Sequence, residues 1–146
     1  MAQLVCGSEG TLAVMTEITV NLVLRPSASG LALLQFDDLH SALSAVPYLL
    51  ESAPAAVELL DHMSLTLCRD VPAYARLLAS VIDGRPHSLL IVEFQGDSDN
   101  EVRERVDDLA RRVSRVPLGV TGFTRALSAE AQAAVWSVRK VGLGLL

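Results

Sequence analysis

The stretch from Ser88 to Val116 constrains the fold more than any other part of the chain. Ser88 to Gln95 is dense in Leu, Ile and Val, the composition of a buried strand. Ser98 and Glu101 then form a capping-box pattern, and Val102, Val106, Leu109, Val113 and Val116 recur at fours and threes, which predicts an amphipathic helix. Its outer face sets Glu101, Asp107 and Asp108 four residues before Arg105, Arg111 and Arg112. Arg111, Arg112 and Arg115 therefore read as part of a solvated, ion-paired face rather than a basic patch.

The chain before and after extends the same grammar. Leu31 to Phe36 reads as a buried strand. Asp37 and Asp38 are N-cap candidates for a helix with Leu39, Ala42, Leu43, Val46, Leu49 and Leu50 on one face, which Pro47 is expected to kink or split. Ala55 to Leu60 is a short strand, and Asp61 to Asp70 a helical turn with Leu65 and Cys68 inward. Pro72 at N1 starts a further helix carrying Tyr74, Leu77, Leu78 and Val81, ended by Asp83-Gly84-Arg85-Pro86. Gly119 to Arg125 is another strand, and Ser128 caps a last helix through Trp136 and Arg139. The order from Leu31 is β-α-β, a helical insertion, then β-α-β-α. It predicts an α+β fold of the ferredoxin-like split βαβ kind, an antiparallel sheet with helices on one face.

Ahead of this lies Gly7-Ser8-Glu9-Gly10. Glycines three apart permit positive φ and leave backbone N–H groups exposed to a phosphate or a ring. From Thr16 the residues alternate, with Ile18, Val20, Leu22 and Leu24 on one face and Glu17, Thr19, Asn21 and Arg25 on the other. The turn is therefore expected to feed a strand closed by Pro26 and Ser27. No Lys-Ser/Thr follows the second glycine, so this is not a P-loop, and Ser8 directly follows Gly7, so Gly-x-Ser-x-Gly is not satisfied. On pattern alone, plain punctuation is the better reading.

Resemblance adds to this. Gly-Ser-Glu-Gly-Thr-Leu-Ala-Val-Met-Thr-Glu at residues 7–17 resembles the signature that ends the FAD-binding domain of the FAD-linked oxidases. That family has the vanillyl-alcohol-oxidase flavin fold and includes a glycolate oxidase component, D-lactate dehydrogenases and D-2-hydroxyglutarate dehydrogenase. Glu58-Leu59-Leu60-Asp61, Leu90-Ile91-Val92-Glu93-Phe94-Gln95-Gly96 and Val135-Trp136-Ser137-Val138-Arg139-Lys140 resemble later landmarks of the family in the same order. The ending Val141-Gly142-Leu143-Gly144-Leu145-Leu146 most resembles long members fused to an iron–sulfur domain.

The resemblance implies that Gly7, Ser8, Glu9, Gly10, Thr11, Leu12, Ala13, Val14 and Met15 lie beside FAD, mainly through main-chain contacts. It implies that Arg139 binds a substrate carboxylate, and that 4Fe-4S clusters lie outside this chain. It also implies a division into residues 1–26, the end of an FAD-binding domain, and residues 27–146, the first part of a substrate or cap domain. Read from the residues alone, Arg139 and Lys140 complement a helix C-terminal dipole. Trp136 reads as core, and Glu58 and Glu93 as outward or sheet-edge carboxylates. His40 and His62 read as helix-surface residues and His87 as a loop residue, none with a partner that makes it a base.

Composition excludes several classes. Aromatics are 4% and the net charge is −5, with a pI near 5.1, so base stacking and binding to a nucleic-acid phosphate backbone are disfavoured. Despite a mean hydropathy of +0.39, charges interrupt every apolar run before membrane-spanning length. Cys6 and Cys68 are far apart, and the scattered histidines give no metal-ligand spacing, so a reduced cytoplasmic protein is expected.

The leading expectation is a fragment of an FAD-dependent oxidoreductase that converts a 2-hydroxy acid (D-lactate or glycolate-like) to a 2-keto acid. Alone, the fragment is expected to be inactive. The rival is a non-enzymatic ferredoxin-like module that binds a ligand or dimerises. An ordinary edge strand at residues 7–25 favours the module. An orphan arm there favours the fragment, whose exposed apolar edges would drive homodimers.

Overall fold

The computed structural model describes residues 2–144, the Leu143 side chain aside; Met1 and the last two residues of the 141–146 ending lie outside the described residues. Chain order gives α1 (Ala2–Val5), β1 (Ala28–Phe36), α2 (Leu39–Leu50), β2 (Ala56–Leu60), α3 (His62–Asp70), α4 (Pro72–Ala79), β3 (Ser88–Gly96), α5 (Asp99–Val113), β4 (Val120–Ala126) and α6 (Ala129–Gly144). The strands form one sheet in the order β2-β3-β1-β4, antiparallel throughout, as the split βαβ arrangement requires.

Alternation along β1 builds two cores. Ala28, Ala32, Leu34 and Phe36 face α2 and α5, where Val102, Val106 and Leu109 close over them with Leu90, Val92 and Phe94 of β3. Leu31 and Leu33 face the opposite way, toward Leu65, Cys68 and Leu78 of α3 and α4 and Val135 and Val138 of α6. The two central strands are thus buried on both faces, which is why they read as continuous apolar runs. This corrects the expectation of helices on one face: α2 and α5 occupy that face, while the helical insertion and α6 cover the other. Gly30 lets α5 sit close, since a Cβ there would lie 2.6 Å from Val102 Cγ1.

Of the two candidates Asp37 and Asp38, Asp38 caps α2, and Asp61 caps α3, a cap the sequence reading did not name. Asp38 and Asp61 accept from the backbone N–H groups of Ser41 and Ser64 at 2.7 and 2.9 Å, and from both hydroxyls at 2.7 Å. Those bonds favour the ionised form and hold both carboxyls below the ordinary aspartate range. The stabilisation from Asp61 is therefore complete above the ordinary value of 3.8 and is lost as the pH falls through the lower folded value. Asp61→Ala is expected to cost about 1 kcal/mol in a urea melt at pH 7, and to cost less at a pH below both values. An equal loss at both pH values would contradict the cap.

Pro47 does not split α2, which runs unbroken from Leu39 to Leu50. Pro47 and Leu43 both lie on the exposed side, so water can satisfy the Leu43 carbonyl freed by the missing N–H.

The paired helix face is also corrected. Asp108 bonds Arg111 at 3.3 Å, and Asp107 reaches across to Arg125 of β4 at 2.7 Å. Arg112 turns to Glu51 at 2.8 Å and to the Ser52 hydroxyl at 2.7 Å. Arg105 lies over the Phe94 ring and donates to the carbonyls of Gln95 and Ala53 at 2.8 and 2.7 Å. These arginines clamp the α2–β2 turn, where Ala53 has a φ of +49°. Glu101 accepts from Asp97 N–H at 2.9 Å while Ser98 accepts from Glu101 N–H at 3.3 Å, closing the N-terminus of α5.

The expected strand at residues 16–25 is absent. Residues 11–27 form no regular element and no ladder, and Leu22, Val23 and Leu24 are 89%, 92% and 96% exposed. Their alternation satisfies the strand pattern, yet a strand needs a partner edge, and none of the described strands supplies one.

Candidate functional site

α6 is pinned to the sheet before it presents anything. Ser128 caps it through Ala131 N–H at 3.2 Å, and Gln132 exchanges side-chain bonds with Ser29 of β1, donating to its carbonyl and accepting from its hydroxyl, both at 2.8 Å. Val135 and Val138 then turn inward, and Trp136 packs half-buried against the same cluster, which matches its core reading. This phase carries Arg139 to the flank of the helix beside β2.

There the Arg139 Nε donates to Glu58 Oε2 at 2.5 Å. Glu58 sits on the sheet's edge strand, with Ala56 and Leu60 on the same side, facing the helices rather than solvent. The pair is partly screened, with side-chain exposures of 39% for Arg139 and 31% for Glu58. The terminal Nη1 and Nη2 of Arg139 have no hydrogen-bond partner among the described residues. The helix continues to Gly144, with no basic residue in its last turn, so Arg139 serves Glu58 rather than the helix C-terminus.

The glycine turn forms as read. Gly7 and Gly10 have φ of +82° and +80°, and Glu9 also lies at +49°. Thr11 closes the turn, its N–H and hydroxyl both donating to the Ser8 carbonyl at 2.9 and 2.7 Å. Among the described residues, the N–H groups of Glu9 and Gly10 have no backbone partner, and a Cβ on Gly7 or Gly10 would meet nothing within 4 Å. A flat group can therefore approach this main chain closely. Leu12, Ala13, Val14 and Met15 continue it as exposed residues. The structure does not bring this turn and Arg139 into one pocket: the hydrogen bonds of residues 6–11 are all local.

Two further features emerge only in three dimensions. His62 and His87 stack, with ring centroids 4.5 Å apart and planes 11° from parallel, joining the start of α3 to the loop before β3. Arg69 closes the same junction by donating to the Pro86 carbonyl at 3.1 Å. Cys6 is exposed and Cys68 buried, both as free thiols, and burial pushes the Cys68 thiol up. Among the described residues, no group of three or more His, Cys, Asp and Glu could hold a metal ion, and no helix is long and apolar enough to cross a membrane. Open clefts of about 520 Å³ along α5 and about 530 Å³ beside Trp136 do not include Arg139.

The pairing of Glu58 with Arg139 is what sequence reasoning missed, because the two lie 81 positions apart. A signal existed. A glutamate between Ala56 and Leu60 shares their inward face, and an inward acid at a sheet edge needs a cation.

An antiparallel α+β domain carrying a tethered arginine, preceded by an open glycine turn, is the class that fold and site define. Residues 25–146 match the family described as FAD linked oxidases, C-terminal domain, and the chain belongs to it. Among its relatives is the D-2-hydroxyglutarate dehydrogenase of Escherichia coli K12, 30% identical over all of this chain and 15% of that protein. The glycolate oxidase subunit GlcD of the same organism is 29% identical over 92% of this chain and 26% of that protein. An uncharacterized FAD-linked oxidoreductase of Mycobacterium tuberculosis is 40% identical over 44% of this chain. The chain thus spans about 15% of the length of the D-2-hydroxyglutarate dehydrogenases it matches.

Proposed function

We propose that this chain is part of an FAD-dependent oxidoreductase that oxidises a 2-hydroxy acid to a 2-keto acid. The observation that carries the reading is Arg139, whose guanidinium is held at Nε by Glu58 while its terminal nitrogens have no hydrogen-bond partner among the described residues. A carboxylate accepts two parallel bonds from such a fork, and a 2-hydroxy acid presents one next to its reacting carbon. FAD, when bound, supplies the two-electron acceptor for the hydride equivalent that leaves that carbon. The residues 7–15 would hold it through main-chain contacts: the unbonded N–H groups of Glu9 and Gly10, on a turn with no Cβ at Gly7 or Gly10, suit that role. The share of Arg139 is to bind and orient the substrate, not to move a proton.

The exposed run from Leu12 to Leu24 supports reading residues 1–26 as the end of an FAD-binding domain and 27–146 as part of the substrate domain. Such a run has the alternation of a strand and the exposure of an unpaired arm, which fits coverage by the rest of the parent flavoprotein rather than a self-contained module. In isolation it would drive pairing with a second copy. The segment alone would neither hold FAD tightly nor turn over. In the parent, 4Fe-4S clusters outside these residues would carry electrons onward, and the two unpaired cysteines suit a cytoplasmic setting.

The test is dye-coupled turnover of the full-length flavoprotein with D-lactate, glycolate and D-2-hydroxyglutarate, each against its methyl ester at the carboxylate next to the hydroxyl. An acid turned over at least about 100-fold more efficiently than its ester, the worth of a charge-assisted fork, is the expected result. Equal turnover of acid and ester would contradict it.

A further inference from the structure

We infer that Glu58 is a positioning residue that presents Arg139 to the substrate carboxylate. This rests on the reading of Arg139 as the carboxylate ligand. The bond geometry selects the role. Glu58 takes Nε and no terminal nitrogen, so it occupies one side of the guanidinium and leaves the Nη1–Nη2 end without a hydrogen-bond partner among the described residues. An unheld arginine side chain samples many rotamers, and fixing one in advance removes that cost from substrate binding.

The two elements that carry the pair are themselves fixed. β2 is hydrogen-bonded to β3 along Ala56–Leu60, and α6 is anchored by Val135 and Val138 in the core and by Gln132 on β1. The backbone positions of both partners are therefore fixed, and their mutual bond sets the guanidinium plane. The Glu58 charge works against a second carboxylate, so the role is orientation rather than added attraction. Arg139 and Glu58 together are neutral, and a substrate anion gains by hydrogen-bond geometry more than by field.

Geometry and charge predict opposite effects, which makes the role testable in the FAD-loaded full-length protein. Glu58→Ala frees the guanidinium and is expected to raise KM for the 2-hydroxy acid about fivefold, the most a partly exposed ion pair can supply, with kcat within about twofold. Glu58→Asp keeps the charge but shortens the reach, and is expected to raise KM in the same sense. Glu58→Gln keeps an acceptor oxygen without the charge, and is expected to restore KM to within about twofold of the parent. Flavin content and the unfolding midpoint check the fold; if Glu58→Ala does not fold, the Asp and Gln variants carry the comparison. An unchanged or lowered KM in Glu58→Asp, while Arg139→Ala raises it, would overturn the positioning role alone. An unchanged KM in Arg139→Ala would overturn both.

Discussion

On the proposed function, Arg139→Ala in the full-length protein is expected to lower kcat/KM for a 2-hydroxy acid by about 100- to 1,000-fold, the worth of two charge-assisted hydrogen bonds at roughly 1.5–2 kcal/mol each. Most of the loss should appear in KM, because the carboxylate is bound in both ground and transition states. The fold should survive. The pair with Glu58 is about one-third exposed on each side, and exposed ion pairs are worth about 0–1 kcal/mol. Arg139→Lys should recover only part of the loss, since an ammonium is a point charge without a planar fork. A kcat/KM within about threefold of the parent in Arg139→Ala would remove this residue from the substrate site.

Phe94→Ala is expected to destabilise the protein by about 3–5 kcal/mol, measured as a shift in urea midpoint at constant m-value. Phe94 is fully buried on β3, a central strand bonded to both β2 and β1. Its ring lies under the Arg105 guanidinium at 4.9 Å, and it pairs in register with Gly30. Removing it opens a cavity between α5 and the sheet and takes away the surface on which Arg105 rests while bridging to Ala53. Domains of this size have about 5–15 kcal/mol in total, so a large share of stability sits on one ring. Phe94→Leu should cost less than half as much. A loss below about 1.5 kcal/mol in Phe94→Ala would show that the face toward α5 is not packed as described.

Much of the fold is legible in the sequence because local signals agree with tertiary ones. Asp38, Ser98 and Ser128 cap the helices they precede, and the apolar runs at Leu31–Phe36 and Ser88–Gln95 form the two central strands. What is not legible depends on partners distant in sequence. Residues 16–25 alternate like a strand but have no edge to pair with among the described residues. Spacing along α5 predicts that its arginines pair with acids one turn away, yet Arg105 and Arg112 reach the α2–β2 turn, where carbonyls and Glu51 hold them in place. The helical insertion is visible in the sequence, but its covering of the second face of the sheet is not.

The site is legible in the same uneven way. The positive φ values at Gly7 and Gly10 are ones that glycine permits and the Gly-x-x-Gly turn pattern suggests. The Arg139–Glu58 pair and the His62–His87 stack have no local pattern to suggest them, because each joins elements that meet only once the sheet has formed. Periodicity puts Arg139 one residue from the inward Val138, but nothing local names the acid that it meets.

The most direct test of the flavoprotein reading is the visible absorption spectrum of the full-length protein, recorded anaerobically before and after D-lactate, glycolate and D-2-hydroxyglutarate. Oxidised flavin bands that bleach on addition of at least one of these acids are expected. A folded full-length protein without flavin bands, or with bands that none of the three acids bleaches, would contradict it.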